Sequence, residues 1–388
     1  MWIKRDLSLS AISNIALPIK VLRGPRQVGK TSLLAKLGTH SLVYLDDAVT
    51  RLRAQEDPRF FLDQLPSKVI LDEAPLAPAL FPELKRRVDE ARISGCGEMP
   101  DVWLTGSNQT LMYREVGESL AGRASYFDLN TLSIHELGER WSLGTYLLRA
   151  GWPELYISPH LDVTRYLNDL VSTYIERDIV AAAGIERRAA FLKVLHLLAG
   201  RIGQLFVASD IATVAGVDAT TVQSWVSLLV TNAVAFQLPA YYTNLNKRLT
   251  KAPKYYFYDV GLAVCLQGWQ APEPILNSPQ FGHLFENMVI GEVVRFFLNR
   301  GSKPTLYFVR SKEKVEIDLL VDLGNQRYLA IEIKTTPEDW SKKQRDLVDS
   351  LGLTIVDRWV VTAYSGMSFK DTAVVAISDL WNRLKDIT

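Results

Sequence analysis

The chain has 388 residues, of which 48% are hydrophobic and 22% charged, and its formal net charge is +1. This composition suits two or three domains with cores of their own and excludes a disordered chain. The charge balance excludes a strongly basic protein, so nucleic-acid binding would need a local patch.

Cysteine spacing and hydropathy bear on the compartment. Cys96 and Cys265 have neither disulfide-scaffold nor zinc-ligand spacing, which is typical of a reducing environment. No apolar run approaches the ~20 residues of a membrane span, and the N-terminal MWIKRDLSLS lacks the apolar core of a signal peptide. We therefore expect a cytoplasmic protein without a membrane partner.

A glycine-rich loop follows the first apolar run. The run at 19–22 leads into GPRQVGKTS, and an apolar helical pattern comes next. This order is that of a P-loop site, in which backbone N–H groups and a helix N-terminus face phosphates. We expect Lys30 to reach the β- and γ-phosphates of ATP and the Thr31 hydroxyl to hold Mg²⁺. The residues assigned to nucleotide binding are Gly24, Pro25, Arg26, Gln27, Val28, Gly29, Lys30, Thr31 and Ser32.

Four more apolar runs, at 41–45, 69–71, 101–105 and 124–129, follow the P-loop and are mostly separated by helical patterns. They predict a parallel sheet with helices on both faces. Asp72 and Glu73 close the second of these runs and form the expected Walker B pair. Asp72 would be a Mg²⁺ ligand, and Glu73 would polarise the attacking water. Asp46-Asp47 is the competing candidate for this role. Chain order favours the later pair, because the sequence in between leaves room for another strand.

Two other residues are candidates for catalysis. Asn108 ends the LTGSN run, where the sensor of AAA-type ATPases orients the lytic water, although Ser-Asn after a strand is also common at a plain turn. Arg123, in SLAGR, has two equally weighted interpretations. It is an arginine finger for a γ-phosphate, most simply one in a neighbouring subunit of a homo-oligomer, or a surface arginine at the start of a strand.

Six motifs carry a family resemblance: RGPRQVGKTSLL, ILDEA, LTGSN, SLAGR, AGWPEL and YIERDI. In this order they resemble bacterial and archaeal AAA-type ATPases that carry a C-terminal domain of unknown function. The resemblance covers nearly the whole chain and implies an ATPase that uses ATP and Mg²⁺. Pro75 departs from the pattern, since such sequences usually have Gln after D-E-A. The departure weakens the expectation that a side chain at this position relays the nucleotide state. It does not change the expectation of a metal site.

The middle of the chain, 141–275, predicts a helical linker and a winged helix. Helical patterns flank the turn at 215–217, and short apolar runs at 233–239 and 254–258 would form the wing. The basic stretch of the wing, from Lys247 to Lys254, would grip nucleic-acid phosphates, with DNA favoured. The presumed recognition helix, TTVQSWVSLL, offers no Arg or Lys to base edges. Backbone contact is therefore favoured over base reading, and protein–protein contact remains the alternative.

The last stretch, 276–388, predicts a small α/β domain with a carboxylate pair. Asp318 and Glu332 each lie seven residues from Asn325 in a predicted turn, so the two carboxylates become cross-strand neighbours. Lys334 shares the face of Glu332. The set is similar to the core of PD-(D/E)XK nucleases, in which Asp318, Glu332 and Glu286 would bind Mg²⁺ and Lys334 would support the transition state. The alternative is a solvent-facing E-x-K on an ordinary sheet.

The predicted fold is α/β in three parts. These are an AAA-type P-loop ATPase domain (1–140), the helical linker with its winged helix (141–275) and the nuclease-like domain (276–388). Two functions stay open. One is an ATPase coupled to DNA binding and metal-dependent cleavage. The other is an ATP-dependent switch that binds DNA or protein through a nuclease fold that does not cut.

Overall fold

The computed structural model describes residues 2–9, 12, 16–95, 99–181, 183–242 and 252–388. Its first domain is built on five parallel strands in the order β2-β3-β4-β1-β5, which confirms the predicted parallel sheet. The strands are β1 (Ile19–Arg23), β2 (Ser41–Tyr44), β3 (Lys68–Asp72), β4 (Asp101–Thr105) and β5 (Ala124–Asp128).

Helices cover both faces of this sheet, and the interior strand β1 is buried on both sides. All five residues of β1 are buried. Ile19 and Val21 enter the apolar cluster on one face, while Leu22 enters the cluster on the other. The helices are α1 (Lys30–Ala35), α2 (Ala48–Glu56), α3 (Pro58–Asp63) and α4 (Leu80–Ser94), with shorter turns at Ala74–Leu76, Gln109–Leu111, Met112–Val116 and Gly117–Ser119.

The middle of the chain is mainly helical and ends in a small hairpin. Gly216, at φ 69°, ends α10, and Asp218 caps α11 by accepting a 2.8 Å hydrogen bond from the Thr221 N–H. The antiparallel strands β6 and β7 follow. The elements are α5 (Ile134–Leu137), a 3₁₀ turn Gly138–Arg140, α6 (Leu143–Arg149), α7 (Glu154–Ile157), α8 (Val163–Leu170), a π-helical segment Val171–Val180, α9 (Arg188–Ala199), α10 (Ala208–Ala215), α11 (Ala219–Thr231), β6 (Ala235–Leu238), β7 (Lys254–Phe257), α12 (Val260–Leu266) and α13 (Pro272–Leu276).

The C-terminal part is a mixed five-stranded sheet in the order β12-β11-β10-β9-β8. The strands from β8 to β10 are antiparallel, and those from β10 to β12 are parallel. Its long helix α14 is buried along most of its length. The elements are α14 (Phe281–Asn299), β8 (Thr305–Arg310), β9 (Glu316–Asp322), β10 (Arg327–Ile333), α15 (Lys342–Asp349), β11 (Thr354–Thr362), β12 (Ala373–Ala376), a 3₁₀ turn Ile377–Asp379 and α16 (Leu380–Ile387).

One apolar cluster runs through all three parts, and a buried polar network crosses the same boundaries. Arg295 of α14, whose side chain is 2% exposed, donates to Glu292 at 3.0 Å, to the Thr131 hydroxyl at 3.2 Å and to the Tyr258 carbonyl. Glu292 also accepts from the Ile134 N–H at 2.9 Å. Removing one member of such a buried network costs about 3–5 kcal/mol, so it holds the three parts together.

Membrane insertion has no candidate helix here. Within the described ranges, every helix is too short or too polar to cross a bilayer.

Candidate functional site

The P-loop is shaped by two glycines in conformations that other residues avoid. Gly24 has φ 148°, and a Cβ on it would lie 1.9 Å from the Leu129 carbonyl oxygen. Gly29 has φ 89° and precedes α1 directly. Close backbone approach and positive φ therefore require glycine at both positions. They leave the loop wrapped around the N-terminus of α1, where N–H groups face an anion.

Lys30 is held inside this loop. Its ammonium donates to the carbonyls of Gly24, at 2.8 Å, and Pro25, at 2.7 Å. Burial lowers the pKa of Lys30 to about 8, with Glu73 and Asp72 opposing the shift. The carbonyl bonds are ones that phosphate oxygens can replace, so the lysine fits the expected phosphate contact.

Thr31 and Asp72 are brought together by the strand order. The Thr31 hydroxyl donates to both oxygens of Asp72, at 3.0 and 2.9 Å. Burial raises the pKa of Asp72, and the hydrogen bond from Thr31 opposes that shift. A hydroxyl beside a carboxylate is an oxygen pair suited to Mg²⁺. The competing acid Asp47 instead caps α2, accepting from the Thr50 N–H at 2.8 Å.

Glu73 reaches the same pocket from a left-handed backbone conformation, with φ 52°. Both of its carboxylate oxygens accept from the Ser107 N–H, at 3.2 and 3.1 Å. Pro75 lies against Gly106, because a Cβ on that glycine would meet the proline ring at 2.9 Å. The position at which the family pattern has Gln is therefore packed against the end of β4 rather than open to a ligand.

The pocket at the P-loop has a volume of about 570 Å³, within the range of small-ligand sites. Glu73, Ser107 and the predicted residues from Arg26 to Ser32 line it. The sequence analysis missed several others: Trp2, Ile3, Arg5, Ser107, Leu132, Pro153, Glu154 and Ile157.

Arg5 shows why some of these residues were missed. Its guanidinium donates to the carbonyls of Val28, at 2.8 Å, and Asn130, at 2.6 Å, and to Glu136 at 2.8 Å. A lone arginine in WIKRD has no motif that would signal this role. Ser107 could have been found, because it lies beside Asn108 in LTGSN.

Asn108 is placed next to the pocket, but its side chain is engaged elsewhere. Its Oδ1 accepts from the Leu111 N–H at 3.0 Å and caps the helical turn that follows β4. Asn108 does not line the P-loop pocket, where Ser107 lies instead. The turn interpretation weighed in the sequence analysis describes this arrangement, and a sensor role would require the cap to open.

Arg123 lies at the far edge of the sheet from the P-loop. It precedes β5, whose first residue pairs with Ile19 at the start of β1, whereas the P-loop follows the end of β1. Its guanidinium binds Asp89 through two bonds, at 2.8 and 2.9 Å. The structure therefore does not bring Arg123 to the nucleotide site of its own chain.

The predicted carboxylate pair of the C-terminal domain converges. The β9–β10 register pairs Ile331 with Leu319, and continuing it by one residue sets Glu332 opposite Asp318. Asp318 accepts from the Ile333 N–H at 2.8 Å, and Lys334 contacts Glu332 at 3.2 Å. Burial raises the pKa of both carboxyls. Glu286 raises the pKa of Asp318 further, and Asp318 raises that of Glu332, so the pair resists carrying two negative charges.

Lys254 corrects the prediction of a phosphate-gripping wing. Its ammonium is 2% exposed and contacts Glu286 at 3.2 Å, Glu316, and the face of Phe308 at 5.3 Å. Burial lowers the pKa of Lys254, but the surrounding carboxylates outweigh that effect and raise it. Ala240, just after β6, forms a bridge with Phe308 of β8, whose ring faces the Lys254 ammonium. The other residues of the predicted basic stretch, from Lys247 to Lys251, lie outside the described residues.

The expected three-carboxylate metal site is likewise not assembled. Glu286 is bonded to Lys254 and Tyr256, and it lies near enough to Asp318 to raise the pKa of that carboxyl. Among the residues that the structure describes, no three His, Cys, Asp or Glu side chains are arranged to hold a metal ion. A lysine ammonium supplies positive charge to this cluster, so the donor set does not fit Mg²⁺ in this conformation.

The parallel sheet, the P-loop and the Thr31–Asp72 pair define a P-loop ATPase domain, and a family described as "AAA domain" matches residues 17–138. Families described as domains of unknown function, DUF8612 and DUF4143, match residues 140–273 and 281–379. The nuclease-like assignment gains no support from the second.

Two relatives match most of the chain. They are "Uncharacterized protein Rv2008c" of Mycobacterium tuberculosis and "Uncharacterized protein Mb2031c" of Mycobacterium bovis, each 30% identical over 324 residues, which cover 82% of this chain and 70% of the relative. The chain belongs to the family of these mycobacterial proteins. A solved structure, "Structure of the Aeropyrum Pernix ORC2 protein (ADPNP-ADP complexes)", is 10% identical with a TM-score of 0.33 and covers 64% of this chain and 87% of its own. A score that low supports no argument.

We predict that Glu332→Gln stabilises the protein increasingly as pH rises. Burial beside Asp318 raises the pKa of Glu332 from its ordinary 4.5 to about 8. Between these values the folded chain keeps a proton that the unfolded chain releases, so wild-type stability falls as pH rises through the window. Glutamine does not titrate and escapes this loss.

The measurement is the thermal midpoint of both proteins from pH 5 to pH 8, in the presence of a chelator. The excess of Glu332→Gln over wild type should grow by a few degrees across the series. Glu273→Gln, at an exposed glutamate of α13, serves as control and should run parallel to wild type. A gap that is constant with pH would show that Glu332 keeps its ordinary titration.

Proposed function

We propose that this protein is a Mg²⁺-dependent ATPase that acts as a nucleotide-controlled switch, with a C-terminal domain that binds a partner without cutting it. The observation that carries the proposal is the Thr31–Asp72 contact beside Lys30 and Glu73 in one pocket. The same pocket is lined by Pro153, Glu154 and Ile157 from the middle of the chain, so a bound nucleotide would touch both parts.

The roles in hydrolysis follow from position. The P-loop N–H groups and Lys30 would hold the phosphates, and Thr31 and Asp72 would hold Mg²⁺. When bound, the cation would neutralise phosphate charge. Glu73, anchored on the Ser107 N–H, lies where a base can orient and polarise water. Asn108 could act as a sensor only if its side chain released the helix that it caps and contacted the ligand instead.

Arg123 is proposed to act between subunits or not at all. Its place at the opposite edge of the sheet is on the other side from the P-loop of its own chain. Its side chain is 26% exposed, which supports a neighbouring copy in a homo-oligomer as the recipient of a finger. The bidentate bond to Asp89 is the competing, purely structural role.

The middle part is proposed to be a winged helix used mainly for protein or backbone contact. Helices α9 to α11 and the β6–β7 hairpin have the order of that fold. The exposed face of α11 carries hydroxyl and amide groups but no charge: Thr220, Gln223, Ser224, Ser227 and Thr231. Such a face offers no cation to phosphates and no arginine to guanine edges, although its hydroxyl and amide groups can hydrogen-bond to phosphate oxygens.

The non-cutting role of the C-terminal domain rests on Lys254. This ammonium meets Glu286 and Glu316, leaving Asp318 and Glu332 as a buried pair with raised pKa values. Cleavage remains the second candidate function, favoured by the convergence of Asp318, Glu332 and Lys334 on one face. It would require Lys254 to leave before a metal could enter.

For the ATP site, we predict that Lys30→Ala weakens binding of a fluorescent ATP analogue with Mg²⁺ by at least about tenfold, because it removes the phosphate cation. Glu73→Gln should bind normally and hydrolyse at least about a hundredfold more slowly, because its amide keeps the Ser107 contact but is no base. Lys68→Ala, at the far end of β3, is the matched control. Equal turnover by wild type and Glu73→Gln would remove Glu73 from the mechanism.

For Arg123, turnover per chain should rise with protein concentration in wild type and stay flat in Arg123→Ala. Asp89→Asn separates the two roles, since it breaks the ion pair while leaving the guanidinium available. A finger predicts that Asp89→Asn keeps the concentration dependence. If Asp89→Asn behaves as Arg123→Ala does, the arginine is structural.

For the C-terminal domain, we predict that wild type nicks supercoiled plasmid with Mg²⁺, with or without ATP, no faster than Asp318→Ala does. Asp322→Ala, on the same strand, controls for damage to β9. Nicking by wild type and Asp322→Ala that disappears in Asp318→Ala would replace the switch with the cleaving enzyme.

A further inference from the structure

A wide cleft opens where the three parts of the chain meet. Its volume is about 1150 Å³, twice that of the P-loop pocket. One wall is the end of β1 with the helical turns after β4, and the others are β6, α14 and the segment before β8. The residues that line these walls include, in chain order, Arg23, Tyr113, Phe236, Leu298 and Lys303. The cleft is separate from the P-loop pocket and from the Lys254 cluster.

The rim of the cleft combines positive charge with an exposed aromatic ring. Tyr113 is 62% exposed, and Arg114 beside it has a side chain that is 65% exposed. Lys303, across the cleft, is also exposed. The acid lining the described cleft is Asp128, and Arg23 already neutralises it at 2.8 Å. Arg114 contacts Glu115 at 2.7 Å, an exposed pair that a ligand anion can readily displace.

Buried polar atoms at the base of the cleft lack protein partners. Within the described residues, these atoms are Arg23 Nε, Gln109 Nε2 and Asn130 Oδ1. The three residues are 8%, 4% and 3% exposed, and all of them line the cleft. Buried groups are normally paired, and three unpaired atoms that line the same cavity indicate a place where a ligand supplies the missing contacts. Two donors and one acceptor suit a ligand that has both phosphate and base groups.

We propose that this cleft binds single-stranded nucleic acid, with a base stacked on Tyr113 and the backbone phosphates between Arg114 and Lys303. An aromatic platform beside mobile cations is the usual means of holding a strand without sequence preference. A duplex keeps its base faces covered by stacking, so Tyr113 selects a single strand. An acidic peptide would use the cations but leave the ring without a flat partner. The inference deepens the proposed function, since it assigns the partner of the switch.

The cleft shares its walls with the ATP site. Gly24, which lines the cleft, accepts a hydrogen bond from Lys30 at 2.8 Å. Gln109 and Thr110 follow closely on Ser107, the anchor of Glu73, and Asn232 donates to the Thr110 hydroxyl at 2.9 Å. A nucleic-acid strand in the cleft would therefore contact the segments that hold Lys30 and Glu73 in place. We expect strand binding to change the rate of ATP turnover.

The test is fluorescence anisotropy of a labelled oligothymidylate of about 20 nucleotides, titrated with the full-length protein in the absence of ATP. Tyr113→Ala and Lys303→Glu should each weaken binding by about tenfold, and Tyr113→Phe should restore it, because stacking needs the ring and not the hydroxyl. Phe60→Ala is the matched aromatic control, with the same 62% exposure on α3. Lys312→Glu, exposed beyond the far end of β8, is the matched charge control.

Three competitors distinguish the occupants: a blunt duplex, a polyglutamate peptide and free thymidine monophosphate. The inference requires the unlabelled strand to compete best. It is overturned if Tyr113→Ala and Lys303→Glu bind like wild type, or if the duplex, the peptide or the mononucleotide competes equally well. Because the titration contains no ATP, its result is independent of whether the P-loop pocket binds nucleotide.

Discussion

The arrangement of this molecule depends on one buried guanidinium. Arg295 sits at the junction of the three parts, with bonds to Glu292 on its own helix, to Thr131 after the ATPase sheet and to the Tyr258 carbonyl beyond β7. A charge so deeply buried is tolerated only while its partners stay in place, which makes their separation costly. The long helix α14 is thereby locked to the first domain. The two sites and the cleft between them depend on that fixed relationship.

This fixed arrangement is consistent with a nucleotide pocket that is lined by two parts of the chain. The P-loop supplies Lys30 and Thr31, while the segment containing Pro153 and Glu154 closes the other side. Tyr166 of α8 also donates to the Gln27 side chain within the loop. A change in the loop on binding phosphate would reach the helical part directly. Coupling of this kind needs no long pathway, because the contacts are immediate.

The C-terminal cluster shows how electrostatics can decide between similar chemical outcomes. Three carboxylates and a lysine are the residue types of a metal-dependent nuclease site. Which cation binds the carboxylates decides the chemistry that they can support. Here Glu286 is satisfied by Lys254, delivered by a strand of the neighbouring part. Burial raises the pKa of Asp318 and of Glu332, so both carboxyls resist ionising together. The bond between Lys254 and Glu286 is the ground on which we propose a binding role over a cutting one.

Local patterns by themselves determined the parallel sheet, the P-loop and the pairing of Asp318 with Glu332. In each case the partners are fixed by a turn or by strand–loop–helix order within a short stretch of chain. The family resemblance added the AAA assignment of the first domain.

What only the tertiary structure decided are contacts between distant residues. Arg5 meets the P-loop, Arg123 meets Asp89, and Lys254 meets Glu286 rather than solvent. Lys254 is the clearest case, because its neighbours in sequence are basic and predict an exposed wing. Its burial comes from the docking of β7 against β8 and α14. That docking depends on how whole domains pack, and a run of basic residues in the sequence carries no information about such packing.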